Sequence, residues 1–281
     1  MGVFAAFDNQ LRDGQHVDHD AAWLAQDNST AALLSSYGVL RFRIPELARR
    51  LGFLTLKRIE IVAILVLTPT SLEHHRLAPL LSPLLGETGG LFELCGFGPI
   101  ASAARTMQVI TRQQPTRVVL VGIAGSFRSE LAVGTARSFR QVVCVGVGVG
   151  TGADHQSADD IGWQHWASAG VASDESPAGI GDVLTLSTRL TGAMELGGKL
   201  LTVCAASANE TDVAMRLARH PDADAEDMEG FGVAVACCLA GTPLQIIRGI
   251  SNRAGDRDKR NWDIAGALHA VGELTLKALT E

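Results

Sequence analysis

Residues 229–252 read EGFGVAVACCLAGTPLQIIRGISN, and this stretch decides the fold class. The apolar run after Glu229 is long enough for a helix, and Gly241-Thr242-Pro243 marks its end. A strand candidate follows at residues 244–250 and leads into the polar pair Ser251-Asn252. Because this helix has no polar face, we expect it to be buried nearly all round and to pack against a sheet.

The same alternation of short aliphatic strands and helices extends back to about residue 58. Residues 59–67 form another strand candidate, and Thr70-Ser71-Leu72-Glu73 has the S/T-x-x-E spacing of a capping box that begins a helix. This alternation predicts an α/β domain over residues 58–281, with a mixed central sheet flanked by helices. Residues 1–57 lack a strong apolar stripe, and we interpret them as an N-terminal extension of unknown role.

Composition and charge exclude several function classes. The 281 residues carry a formal net charge of −6, so no broad attraction to nucleic acid or anionic lipid is expected and a small-molecule partner is favoured. The longest aliphatic stretch is far shorter than the roughly 20 residues that cross a bilayer, and we find no secretory signal, which predicts the cytoplasm. The cysteines lack CxxC spacing and the histidines lack HExxH, so we expect no metal site. The glycines at residues 146–152 do not satisfy G-x-G-x-x-G in any register, so we expect no dinucleotide cofactor.

Acidic residues cluster just before the apolar helix, at Asp222, Asp224, Glu226 and Asp227. They lack the glycine and the terminal glutamate of a calcium-binding loop, so we expect a solvated acidic loop. Glu229 permits two interpretations. It is either a first-turn glutamate that the helix dipole favours, or a functional carboxylate whose burial needs compensating partners.

Two sequence motifs carry a resemblance to a known family. Residues 227–234, DMEGFGVA, and residues 247–252, IRGISN, resemble the ligand-site signature of the purine nucleosidase and nucleoside phosphorylase superfamily. Within it the chain is similar to the futalosine hydrolase family, with a GIAG turn at residues 122–125 and a GFGP turn at residues 96–99. The resemblance covers about residues 58–281 and implies a nucleoside phosphorylase-like three-layer sandwich, which makes residues 58–281 a nucleosidase domain.

The resemblance also implies roles for individual residues. Cleavage of an N-glycosidic bond passes through an oxocarbenium-like sugar, so the site needs anionic groups, a positioned water and help for the departing base. By similarity, Glu229 accepts hydrogen bonds from the ribose hydroxyls and Met228 packs against the sugar, while Gly125 and Ser251 also bind substrate. Glu73 would hold and deprotonate the attacking water, although its spacing also fits a simple capping glutamate.

Asn252 is the residue that distinguishes substrates. Adenine-directed relatives place an aspartate here, whereas a 6-oxopurine presents acceptors at both O6 and N7, which suit a carboxamide NH₂. We therefore expect hypoxanthine as the leaving base. Because asparagine cannot act as a general acid, the source of any proton stays open. Asp256 and Asp258 are nearby in sequence, but surface-loop carboxylates are the simpler interpretation.

Hydrolysis is favoured over phosphorolysis. Similar phosphorylases hold phosphate with an arginine and a serine at positions that correspond here to Leu120 and Ile123, which are apolar. Arg76 could reach an anion, but an exposed helix arginine is the plainer interpretation. Arg248 lies within an apolar strand, and either a buried ion pair or a ligand role fits it.

The resemblance therefore implies hydrolysis of a 6-oxopurine nucleoside. The expected reaction converts futalosine to hypoxanthine and dehypoxanthine futalosine in menaquinone biosynthesis, with water as the nucleophile and a homo-oligomeric enzyme. Three alternatives stay open at this point: a methylthioadenosine/adenosylhomocysteine-type nucleosidase, a purine nucleoside phosphorylase, and a non-catalytic nucleoside-binding protein.

Overall fold

The computed structural model describes residues 64–167, 179–186 and 196–280, all within one compact unit, Glu60–Glu281. The N-terminal extension predicted at residues 1–57 lies outside the described residues, as does the first part of the strand candidate at residues 59–67. None of the helices in the described part of the chain is long and apolar enough to cross a membrane.

Strands and helices alternate along the described chain. The strands are β1 (Ile64–Thr68), β2 (Leu91–Leu94), β3 (Arg117–Ser126), β4 (Ala136–Val145), β5 (Gly148–Val149), β6 (Gln156–Ser157), β7 (Trp166–Ala167), β8 (Gly179–Ile180), β9 (Val183–Thr185), β10 (Leu196–Val203), β11 (Ala223–Asp227) and β12 (Leu244–Arg253). The helices are α1 (Ser71–Thr88), α2 (Pro99–Gln113), α3 (Glu210–Arg219), α4 (Gly230–Leu239) and α5 (Ile264–Thr280).

The central sheet is mixed, as the sequence predicted. Its order is β11-β10-β4-β12-β3-β1-β2, and β9 pairs with β4. Most neighbours are parallel, but β12 and β9 run antiparallel to β4, and β11 runs antiparallel to β3. The pairing of β11 with β3 closes β3, β11, β10, β4 and β12 into a ring.

Two helical layers cover the sheet. Alternate residues of β1 point to opposite faces. Leu65 and Leu67 belong to the apolar cluster that contains Val109 of α2 and Val233 of α4. Ile64 and Val66 of the same strand belong to the cluster of α1 and α5. This arrangement confirms the layered α/β fold, and the helix predicted after Glu229 is the buried α4.

The local elements follow the sequence signals, with one correction. The capping box at Thr70 and Glu73 is present and begins α1. Strand β3 extends to Ser126, so residues 122–125 lie inside it and do not form the turn that the resemblance indicated. The glycines of this stretch let side chains of other segments approach the strand backbone closely.

The acidic stretch is a strand and not a solvated loop, which corrects the prediction for residues 222–227. Ala223–Asp227 form β11, and Glu226 and Asp227 are each only 4% exposed. Buried carboxylates need charged or hydrogen-bonding partners. The partners are Arg216 and Arg248, which are close in space but belong to other elements. Local sequence gives no sign of this compensation, so the acidic run was wrongly interpreted as solvated.

Candidate active site

The predicted site residues come from separate segments that meet around the last residues of β3. Glu73 lies in the first turn of α1, directly after β1, and Glu229 lies between β11 and α4. Asn252 lies near the end of β12 and pairs with Gly125 of β3. The carboxyl ends of parallel strands are the usual place for ligands in α/β sheets.

Glu73 is both a capping residue and a member of this group. Its Oε2 accepts hydrogen bonds from the Thr70 backbone N at 3.0 Å and from Thr70 Oγ1 at 2.6 Å. Its Oε1 accepts a hydrogen bond from the Ile123 backbone N of β3 at 3.1 Å. The capping interpretation is therefore confirmed, but it occupies only one oxygen, and the other oxygen faces β3.

Glu229 does not act as a capping side chain. It stands at the N-cap of α4 without making a side-chain capping bond. Its Oε1 accepts a hydrogen bond from the Gly98 backbone N at 3.1 Å, and its Oε2 accepts one from Arg248 Nη2 at 3.3 Å. Burial raises the pKa of Glu229 to about 7, although the charge of Arg248 opposes this.

Arg248 lies at the centre of the network, with a completely buried side chain. Its Nε and Nη2 donate to Asp227 Oδ2 at 3.1 and 2.5 Å. Asp227 is itself held by Thr202 Oγ1 at 2.7 Å and by the Gly230 backbone N at 2.9 Å. Although burial lowers the pKa of Arg248, the charges of Asp227 and Glu229 raise it above its ordinary value. The ion-pair interpretation of Arg248 is therefore correct.

One nitrogen of this buried arginine is left over. Arg248 Nη1 has no hydrogen-bond partner among the described residues. It lies against Gly122, where an added Cβ would overlap it and would also stand 2.8 Å from Glu73 Oε1. A buried donor and a carboxylate oxygen thus both approach the backbone of Gly122 more closely than a residue with a side chain would allow. Such a pair offers a donor and an acceptor to one small polar molecule.

Asn252 is buried beside Gly125. Its Oδ1 accepts a hydrogen bond from Ser251 Oγ at 2.8 Å, and its Nδ2 donates to the Arg253 backbone O at 2.7 Å. Nδ2 lies 3.5 Å from the position of a Cβ on Gly125. Because a carboxamide nitrogen carries two N–H groups, the bond to Arg253 leaves one for a ligand. Ser251 Oγ also lies 3.3 Å from the Ala124 backbone O, so its single hydroxyl hydrogen is shared between these two acceptors.

Met228 belongs to the apolar surroundings of the site. It lies between Asp227 and Glu229 in the chain and packs with Val203, Val213 and other residues of a small apolar cluster. Its neighbours hold it at the corner where β11 leads into α4.

Other residues considered from the sequence lie elsewhere. Arg76 is exposed and lines an outer groove between α1 and α5 together with His269. Asp256 accepts a hydrogen bond from Asn261 within its own loop, and Asp258 pairs with the exposed Arg260. Their contacts favour the surface-loop interpretation. Leu120 is fully buried in the core, so its position offers no cation to a phosphate.

Sequence reasoning missed Asp227 and Thr202 as members of the network. Asp227 stands inside the DMEG motif, but the acidic run around it suggested solvent exposure. The small residues Ala223 and Ala225 alternate with the acids, and this period of two was a signal for a strand that could have been used. Thr202 has no local signal, because its contact with Asp227 exists only through the pairing of β10 with β11.

The layered fold and this buried network of two glutamates, an aspartate and an arginine define a protein of the nucleoside phosphorylase and nucleosidase class. Residues 198–280 match the phosphorylase superfamily. A solved 5′-methylthioadenosine/S-adenosylhomocysteine nucleosidase of Helicobacter pylori has the same fold, with a TM-score of 0.61, 17% identity, and coverage of 78% of this chain and 98% of the other.

Sequence comparison narrows the class to a family. A futalosine hydrolase of Streptomyces coelicolor is 32% identical over 181 residues, which cover 63% of this chain and 72% of the relative. A futalosine hydrolase of Acidothermus cellulolyticus is 33% identical over 153 residues, which cover 48% of this chain and 62% of the relative. The chain belongs to the futalosine hydrolase family, as its motifs indicated.

Proposed function

We propose that the protein hydrolyses the N-glycosidic bond of a 6-oxopurine nucleoside, and that this nucleoside is futalosine. The observation that carries the proposal is that Glu73 Oε1 and the unpartnered Arg248 Nη1 converge on Gly122, while Arg248 Nη2 donates to Glu229. Futalosine as the substrate is supported by the names of the two related enzymes. The products would be hypoxanthine and dehypoxanthine futalosine, a step of menaquinone biosynthesis.

Water is the nucleophile in this proposal. Arg248 Nη1 donates a hydrogen bond to the water oxygen, and Glu73 Oε1 accepts one of its protons as the oxygen attacks C1′ of the ribose. The C1′–N9 bond breaks with its electron pair moving onto the purine, which takes a proton from solvent. Asp227 keeps Arg248 in place, so its contribution is positional.

Glu229 acts on the ribose. Unlike Glu73, its carboxylate is not held by a helix cap. It accepts hydrogen bonds from the ribose hydroxyls. Its negative charge also stabilises the oxocarbenium-like sugar of the transition state. Met228, its neighbour in the chain, supplies apolar contact to the sugar, and Gly125 leaves room for the nucleoside beside β3.

Asn252 sets the choice of base. Its free N–H group donates to O6 or N7 of hypoxanthine, both of which are acceptors, and Ser251 fixes the orientation of the amide. An adenine-directed enzyme would need an acceptor for the 6-amino group. The position of Asn252 against Gly125 supports this role, because Gly125 lies on β3 two residues after Ile123, whose backbone N donates to Glu73.

The experiment measures base release by the purified full-length chain. Futalosine with water, futalosine with added phosphate, and methylthioadenosine are supplied separately, and hypoxanthine, adenine and any sugar phosphate are quantified by liquid chromatography. We expect hypoxanthine release that does not depend on phosphate. Faster adenine release would favour the methylthioadenosine-type nucleosidase, phosphate-dependent release would favour a phosphorylase, and binding without turnover would favour a nucleoside-binding protein.

Glu73→Gln provides the matched test of the water-activating group. We expect it to lower kcat by at least about 100-fold, which is the usual range for a general base. Glu87→Gln is the control, because Glu87 is an exposed glutamate on the same helix, and it should leave kcat unchanged. Equal activity of the two variants would refute the role of Glu73.

A homo-oligomer is the assembly that we propose. The support comes from exposed apolar side chains next to the Gly98 contact of Glu229, where Phe97 is 62% exposed and Ile100 is 84% exposed. A second copy would cover them. Light scattering of the wild type and of Ile100→Lys tests this, and a monomeric wild type would refute it. Location in the cytoplasm stays a prediction.

A further inference from the structure

A second buried carboxylate of β11 is not used by the network around Arg248. Glu226 precedes Asp227, and successive strand residues point to opposite faces. Glu226 Oε1 accepts a hydrogen bond from the Ser207 backbone N at 2.8 Å, and Oε2 accepts one from Ser207 Oγ at 2.8 Å. Oε2 also pairs with Arg216 Nη1. The bonds of this carboxylate therefore go to α3 and to the segment that precedes it.

That segment consists of residues 204–209 and joins β10 to α3. Arg216 donates through Nη2 to the Ala205 backbone O at 2.5 Å and through Nη1 to Ser207 Oγ. The segment ends at Asn209, whose side chain caps α3. We call Glu226, Arg216 and Ser207 the clamp. Since the clamp binds both the backbone and a side chain of residues 204–209, it sets the conformation of this segment.

The clamped segment borders the side of the site where Asn252 lies. Gly125 pairs with Glu226 on one neighbouring strand and with Asn252 on the other. The Asn209 backbone O would lie 2.9 Å from a Cβ on Gly255, three residues after Asn252. The same apolar cluster that holds Met228 includes residues from both flanks of the segment, Val203 and Val213.

We propose that the clamp holds residues 204–209 as a wall of the nucleobase end of the site, so that it sets affinity for the purine and not the rate of bond cleavage. This inference rests on the proposed function. Glu226, Arg216 and Ser207 are positioning residues, because their hydrogen bonds within the described chain go to one another and to the segment, and not to Glu73 or Glu229.

The expected effect is a change in binding. Arg216→Met removes the bonds to Ala205, Ser207 and Glu226 together. If the segment then adopts its binding conformation for about a tenth of the time, KM for futalosine and the Kd for hypoxanthine both rise about tenfold. The kcat should stay within about twofold of the wild type. Arg216→Lys keeps the charge beside Glu226 without the guanidinium fork, so it should recover only part of the affinity.

Arg219→Met is the matched control. Arg219 lies on the same helix and forms its ion pair with Asp160, outside the segment. Steady-state kinetics on futalosine, calorimetry with hypoxanthine, and hydrogen exchange of residues 204–209 are measured for each variant. We expect higher KM, higher Kd and faster exchange in Arg216→Met but not in Arg219→Met. If Arg216→Met does not fold, Ser207→Ala removes one clamp bond and should show the same pattern more weakly.

Two results would overturn the proposal while leaving the proposed function intact. One is an active Arg216→Met enzyme with wild-type KM and exchange, and the other is a loss confined to kcat. A wild type that exchanges slowly at residues 204–209 but neither cleaves futalosine nor binds hypoxanthine would instead refute the proposed function, and with it the assignment of this wall to a nucleobase.

Discussion

Replacing Gly122 by alanine is the most direct test of the close approach of Arg248 and Glu73 to this glycine. The added Cβ would overlap Arg248 Nη1, would stand 2.8 Å from Glu73 Oε1 and would stand 3.1 Å from Pro69 Cδ. Arg248 cannot simply swing away, since it is completely buried and held by Asp227. The methyl group would therefore displace Arg248 Nη1 or Glu73 Oε1, the two atoms that are proposed to hold the attacking water.

The structure gives magnitudes for this variant. Overpacking of a closed site costs about 1 to 3 kcal/mol of folding free energy. A displacement of the reacting groups by about 1 Å can lower the rate about 100-fold, so we expect kcat to fall by that factor or more. Gly86→Ala is the control, because Gly86 is exposed in α1 with nothing within 4 Å of its added Cβ, and it should stabilise the helix slightly.

The assay combines urea unfolding with single-turnover release of hypoxanthine from futalosine. Single-turnover rates report the chemical step and are not limited by product release. A Gly122→Ala enzyme that folds with wild-type stability and keeps at least half of its single-turnover rate would refute the reasoning. A loss of activity in Gly86→Ala would show that the effect does not depend on the Gly122 contacts.

Three further variants test other parts of the network. The pKa of Glu229 lies at about 7 in the folded chain, above its ordinary value of 4.5, so the free energy of unfolding of the wild type should fall as pH rises between these values, by an amount on the order of 3 kcal/mol. Glu229→Gln should flatten this dependence in urea unfolding at pH 5 and pH 8. An unchanged slope would contradict this expectation. Asn252→Asp should lower the rate of hypoxanthine release from futalosine about 100-fold and raise the rate of adenine release from methylthioadenosine. We would abandon the base-selecting role if the ratio of these two rates did not change. Asp227→Asn should lower the free energy of unfolding by about 3 to 5 kcal/mol, because it leaves Arg248 buried without its charged partner. Asp258→Asn, which removes the exposed ion pair with Arg260, should change urea unfolding little. Similar effects of the two variants would argue against a buried ion pair.

The sequence alone determined the α/β class and most of the element order. The apolar helix after Glu229 and the aliphatic strand that follows it have unambiguous hydrophobic patterns and glycine or proline ends, which are local properties. The capping box at Thr70 was equally local. The motifs around residues 227–234 and 247–252 also identified the family before any contact was known.

Only the tertiary structure decided which charges are buried and which polar atoms converge. The acidic stretch before Met228 suggested a solvated loop, because its compensating arginines lie on α3 and β12 and its burial depends on the pairing of β11 with β10 and β3. The free nitrogen of Arg248 and the second oxygen of Glu73 became recognisable only when both were found against Gly122. The physical reason is that propensity and hydrophobic pattern act over a few neighbouring residues, whereas the burial of a charge depends on partners that the fold brings from distant parts of the chain.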